Sequence, residues 1–176
     1  MITPRERIPN VMWDVFSDKA PKPGNYSQAV VTKVGSIYLV DFAGQTGNVP
    51  DGQDDPLVLV PGQTKPGTSH ADYSLQSQQA LRNIGGILDD LIGRGLTLRV
   101  GSGSLLTHVQ VDMVDMTAEH KKAFEDAYSS FFMGNSRYPA RTFREVPGLP
   151  LPGEGCLVEL TARAAIPEEF FGFSKF

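Results

Sequence analysis

The sequence has one cysteine, Cys156, and one tryptophan, Trp13. A single thiol cannot close an internal disulfide, so the fold does not depend on oxidation. No stretch approaches the roughly eighteen consecutive apolar residues that a membrane-spanning helix needs. The first residues, MITPRERIPNVMW, lack the apolar centre of a secretory leader. Basic excess is missing too: 16 Lys and Arg stand against 20 Asp and Glu, a formal net charge of -4. The only adjacent basic pair, Lys121-Lys122, lies between Glu119 and Glu125. A protein that tracks nucleic-acid phosphates usually shows a basic face. These absences set the expectation of a cytoplasmic protein with neither a nucleic-acid nor a membrane partner.

What is present reads as an ordinary globular chain of 176 residues, with 40% hydrophobic and 20% charged residues. Residues 1–24 hold prolines at 4, 9, 21 and 23 and read as an irregular extension. Its aromatics, Trp13 and Phe16, are expected to lie on the domain or on a neighbouring copy. Residues 28–34 and 37–42 are β-branched or aromatic runs around Gly35-Ser36, the pattern of a hairpin. Residues 46–70 are loop-like, with four prolines and four glycines, and 57–60 could be a short strand or buried anchor. A loop this long is more often functional or oligomeric than idle.

Residues 73–92 are helical by period, with Leu81, Ile84, Leu88 and Leu91 on one face and Gly93 and Gly95 after them. Residues 105–114 alternate as a strand, with Val109, Val111 and Met113 on one side and His108, Gln110 and Asp112 on the other. Thr117 is the expected N-cap of a second helix whose apolar face is Phe124, Ala127, Tyr128 and Phe131, ended by Gly134-Asn135. Strands follow at 141–146 and 157–164, joined by a Pro/Gly-rich turn. The tail, 167–176, carries four phenylalanines, too apolar to sit comfortably in water. The predicted order is β-β-α-β-α-β-β with a hairpin at each end. That is an α+β domain over 25–166, a mixed sheet with both helices on one face.

Four stretches then become specific in combination: Pro-Gly-Asn-Tyr-Ser-Gln-Ala-Val at 23–30, Phe42-Ala43-Gly44-Gln45, Pro139-Ala140-Arg141, and the doubled Leu-Pro turn at 149–152 followed by Val158-Glu159-Leu160. The helix pattern Gln79-Ala80-Leu81-x-Asn83-Ile84 fits with them. In this order and spacing the chain resembles the reactive-intermediate deaminase family, YjgF/Rid, whose fold is chorismate-mutase-like. The extension and the enlarged 46–70 loop make it an atypical member. The resemblance implies a homotrimer with sites in the clefts between subunits. It implies hydrolysis of 2-imino or 2-amino-enoic acids to keto acids and ammonia, without metal or organic cofactor.

The chemistry fits those positions. A guanidinium fork at Arg141 suits the carboxylate of such a substrate. Glu159 can take a proton from attacking water and return one to the leaving nitrogen. Tyr26 is implied to hold the same water or cap the pocket, and Gly44 to let backbone approach the ligand. Ala43 and Phe143 stand where many members carry serine and cysteine. Phe143 is expected to narrow the pocket or make it more apolar, which points to a related reaction on a different substrate, such as a larger catabolic enamine. The plain alternative for Arg141 and Glu159 is a cross-strand ion pair on neighbouring strands. The functional alternative is a non-catalytic protein that binds carboxylate metabolites. Ribonuclease or chaperone-like activity is also ascribed to the family, and the acidic balance speaks weakly against RNA.

Other candidates carry less. His70, His108 and His120 have no mutual ligand spacing, and His108 with Asp112 makes only two groups. Cys156 has no evident base partner and reads as inert. Residues 52–56 lack calcium-loop spacing, and 101–104 lack the lysine and following helix of a phosphate loop.

Overall fold

The computed structural model describes residues 12–22, 25–49, 70–92, 105–135, 137–149 and 155–171. Six strands form one sheet: β1 (Met12–Val15), β2 (Ala29–Val34), β3 (Ile37–Thr46), β4 (Leu106–Val114), β5 (Ala140–Val146) and β6 (Val158–Pro167). Two helices, α1 (His70–Leu91) and α2 (Ala118–Phe131), follow β3 and β4. The strand order is β1-β2-β3-β6-β4-β5. Only β4 and β5 run parallel; the remaining pairs are antiparallel, so the sheet is mixed, as expected.

Local sequence accounts for most of these elements. Gly35 takes the left-handed φ of 59° that the tight β2–β3 hairpin demands, where any Cβ would be strained. In α1, Leu81, Ile84, Leu88 and Leu91 are all fully buried, as their spacing predicts. The Thr117 side chain accepts from the His120 N–H and starts α2. Both helices pack on one face of the sheet. Val109, Val111 and Met113 of β4 and Val158, Leu160 and Ala162 of β6 meet them there. Each such aliphatic side chain contributes about 2 kcal/mol by burial. The opposite face carries the alternate residues, and among the described residues no helix covers it.

Two expectations need correction. The N-terminal segment is not irregular throughout: Met12–Val15 forms a strand that pairs with β2 and extends the sheet. Four residues are too few to show alternation, and the strand exists because β2 offers a free edge. The sheet also has no C-terminal hairpin. β5 pairs with β4, while β6 inserts between β3 and β4. The aromatic expectations hold in part: Trp13 packs on Tyr38 and Phe171, and Phe171 stacks on Tyr38 at 3.8 Å, while Phe16 is exposed. The expectations for 57–60, for Gly93 and Gly95, and for 52–56 and 101–104 fall outside the described residues.

Candidate functional site

Glu159 opens β6 on the face without helices. Its neighbours Val158 and Leu160 are fully buried under the helices, so strand alternation turns Glu159 the other way. Across from it, β3 breaks register between Phe42 and Gln45, which places Ala43 and Gly44 in a bulge. A Cβ added at Gly44 would lie 2.5 Å from the Glu159 carboxyl carbon. Any side chain there would have to push the carboxyl aside, and the group that approaches Gly44 in the single chain is the Glu159 carboxyl itself. Ala43 is fixed by its N–H, which donates to the Gln28 carbonyl at 2.9 Å. That bond brings the preceding turn, with the exposed Tyr26, to the same end of the sheet.

Two buried amide side chains on α1 hold this region in place. Asn83 Nδ2 donates to the carbonyls of Thr46 at 3.2 Å and Asn48 at 2.9 Å, just beyond Gly44. Gln76 Nε2 donates to the Gly155 carbonyl at 2.7 Å, and Gln76 Oε1 accepts from the Leu157 N–H at 2.8 Å, just before Glu159. One helix therefore secures both strand ends that meet at the carboxyl. Gln76 escaped the sequence reading; the signal available was a polar side chain in step with the buried face of α1.

The Glu159 carboxyl is half-buried, and among the described residues no hydrogen bond reaches it. Burial pushes its proton affinity up, the nearby Asp112 carboxylate pushes it up further, and the Arg144 guanidinium pulls it down. Asp112 and Arg144 were not singled out together by the sequence. They are brought there by register: Asp112 opposes Glu159 on β4, and Arg144 opposes Asp112 on β5.

Arg141 lies elsewhere. It sits three residues before Arg144, so alternation places it on the helix face. There Arg141 Nη2 donates to Glu125 Oε1 at 2.7 Å, and its guanidinium lies over the rings of Tyr128, Phe143 and Phe124 at 4.4, 5.0 and 5.7 Å. A hollow of about 280 Å³ opens beside it, lined by Glu125, Tyr128, Ser129, Tyr138, Pro139 and Arg141. Burial pushes the Tyr128 hydroxyl up to about 12. Phe143 packs edge-on against Phe124, with ring centroids 5.2 Å apart.

Glu159 and Arg141 are thus not on neighbouring strands, and the cross-strand ion pair is corrected: β4 separates β6 from β5, and Arg141 pairs with Glu125. Two strand spacings across and three residues along put their Cα atoms roughly 14 Å apart, with side chains on opposite faces. The two groups cannot grip one small molecule within a single chain.

The remaining candidates stay bland. His108 Nε2 meets Thr142 Oγ1 at 3.1 Å, and the His120 ring stacks on Tyr73. Burial first, and the Glu159 charge second, push the Cys156 thiol up to about 12, which keeps it protonated and unreactive. Among the described residues no group of three His, Cys, Asp or Glu side chains could hold a metal ion, and no helix is long and apolar enough to cross a membrane.

No family model and no curated protein sequence matches the chain. Solved structures do. YyfA from Yersinia pestis, described as a protein of the conserved Rid family, is 26% identical, with 88% of this chain and 99% of that chain covered at a TM-score of 0.61. Over nearly its whole length the chain is similar to Rid-family structures. An endoribonuclease candidate from Thermotoga maritima is also 26% identical, covering 86% of this chain and 95% of that one at a TM-score of 0.57. TdcF from E. coli, solved with bound serine, shares the fold at 21% identity and a TM-score of 0.59, covering 86% and 97%. The Rid fold in these structures matches the α+β architecture described above, with a mixed six-stranded sheet and two helices.

Proposed function

We propose that this protein hydrolyses a 2-imino or 2-amino-enoic acid to a keto compound and ammonia, in sites that two copies of the chain build together. Arg141 of one copy holds the substrate carboxylate, and Glu159, Gly44 and Tyr26 of its neighbour face the C=N carbon. The observation that carries the reading is the Glu159 carboxyl. It is half-buried against Gly44, has no hydrogen-bond donor among the described residues, and holds its proton more tightly than an ordinary glutamate. A carboxyl with raised proton affinity and no fixed donor is suited to give and take a proton, which is what general acid–base work requires.

The steps balance. Protonated Glu159 gives its proton to the imine nitrogen, which makes the carbon more electrophilic. Water adds to that carbon as the Glu159 carboxylate takes one of its protons, forming a carbinolamine. Glu159 returns the proton to nitrogen, the C–N bond breaks and ammonia leaves, while the hydroxyl oxygen becomes the carbonyl and gives its proton to the Glu159 carboxylate, which restores the starting acid. Arg141 keeps free N–H groups beside the one given to Glu125, enough to accept a carboxylate. The serine bound in TdcF carries a carboxylate of this kind. An enamine enters the same path after protonation at carbon.

The binding-only reading draws on the Arg141 cradle, whose aromatic wall is complete without Glu159. A panel of imines and amino-enoates, generated by an amino-acid oxidase or a dehydratase and assayed for ammonia, separates the two. Glu159→Gln is expected to lower release by a factor of about 100 or more while leaving the oligomer intact. Undiminished release in that variant removes Glu159 from the reaction. Carboxylate binding without release from any compound supports the binder.

A further inference from the structure

Beside Glu159 the open face carries a charged pair that the steps above do not use. Arg144 Nε and Nη2 donate to both oxygens of Asp112, at 2.9 and 2.5 Å, the fork-on-carboxylate geometry. Gln110 Nε2 adds contacts at 3.2 and 3.3 Å. The Asp112 side chain is 8% exposed and that of Arg144 61% exposed, so the carboxylate is shielded while its partner faces solvent. Glu159 and Asp112 occupy the same rung of neighbouring strands, and no described hydrogen bond joins them. Their interaction is through space, in a setting where water screens poorly.

We propose that Asp112, clamped by Arg144, is a positioning residue that sets a fixed negative charge on the rung beside Glu159 and so tunes its acid–base work. The clamp fixes one negative charge next to Glu159, and a second one is then opposed. That opposition favours the role of acid in the first step. The catalytic meaning rests on the deaminase reading above; the effect of the charge on Glu159 does not. The other charged groups on this face are more distant or paired. Arg163, four residues on in β6, donates to Asp41 of β3 at 3.0 Å. His108 of β4 is engaged with Thr142 of β5. The buried Cys156 thiol stays protonated. Gly44 of β3 brings no charge. Asp112 favours the proton on Glu159 and Arg144 opposes it, as their charges and places on the rung require.

The test is a carboxyl-carbon NMR titration of Glu159 in the intact protein, with its signal assigned by its loss in Glu159→Gln. In Asp112→Asn the midpoint is expected to fall by about one unit, and in Arg144→Gln to rise. Opposite signs are the signature; a merely structural role would not produce them. The alkaline limb of kcat/KM should follow in each variant, moving to lower pH in the first and to higher pH in the second. An unmoved midpoint in Asp112→Asn, or a fall in Arg144→Gln, overturns the proposal. Should Asp112→Asn fail to fold, the charge-balanced Asp112→Asn/Arg144→Gln variant still reads a fall, because Asp112 acts on Glu159 more strongly than Arg144 does. Midpoints that move as expected without ammonia release from any compound leave this proposal standing and remove the deaminase. Ammonia release with unmoved midpoints does the reverse.

Discussion

Half-burial of the Glu159 carboxyl disfavours its ionised form, and no described donor offsets the loss. The folded chain therefore binds this proton more tightly than the unfolded chain does. Stability from this group is present below the ordinary glutamate value of 4.5 and is lost as pH rises through the higher folded value. Glu159→Gln removes that dependence. Thermal melts should show the variant above the wild type at pH 8, with the gap closing below pH 4.5. A variant that melts lower at pH 8 would mean that the ionised carboxylate has a partner. At this scale the sequence singled out Gly44, Glu159 and Arg141 by their motifs; the structure brings the first two together and sets Arg141 apart. The Asp112–Arg144 clamp was not legible. Each residue is an ordinary outward position of an alternating strand, and only register across three strands brings them together.

Helix α1 does two jobs with one surface. Its leucines and isoleucines fill the core, and its buried amides secure the ends of β3 and β6. Asn83→Ala leaves the Thr46 and Asn48 carbonyls without their donor in a buried setting. The expected destabilisation is about 2 to 3 kcal/mol, read as a shifted urea midpoint with an unchanged slope. Activity should fall further than stability, since the freed segment follows Gly44 directly. A stable variant with normal activity would remove the amide from the site's support. The helices and the first hairpin were legible because each is set by local pattern: a period near 3.6, a cap, a turn glycine. The place of β6 was not. Consecutive strands neighbour one another about two-thirds of the time, and here β5 and β6 do not, because β4 offers each of them one edge.

For the molecule as a whole, the separation of Arg141 from Glu159 decides the architecture of any shared site. If each site takes Arg141 from one copy and Glu159 from the next, two inactive proteins can repair each other. Arg141→Ala and Glu159→Gln, unfolded and refolded together in equal amounts, should regain about a quarter of wild-type ammonia release, the fraction of interfaces that draw both intact groups by chance. No recovery in verified mixed oligomers would place the site within one chain and contradict the proposed cleft. The mixed sheet with two helices on one face was legible from element order, whereas the facing of Arg141 away from Glu159 was not, since it follows from counting rungs across β4. The insertion of β6 has one more consequence. Until that strand arrives, the sheet is two separate pieces, β1-β2-β3 and β4-β5, with the gap between them where Glu159 belongs. During synthesis most of the chain must wait, with two sticky strand edges uncovered, for the residues that close it. The strand that completes the fold is also the one that delivers the carboxyl, so a nascent or truncated chain lacking β6 has neither a closed core nor Glu159.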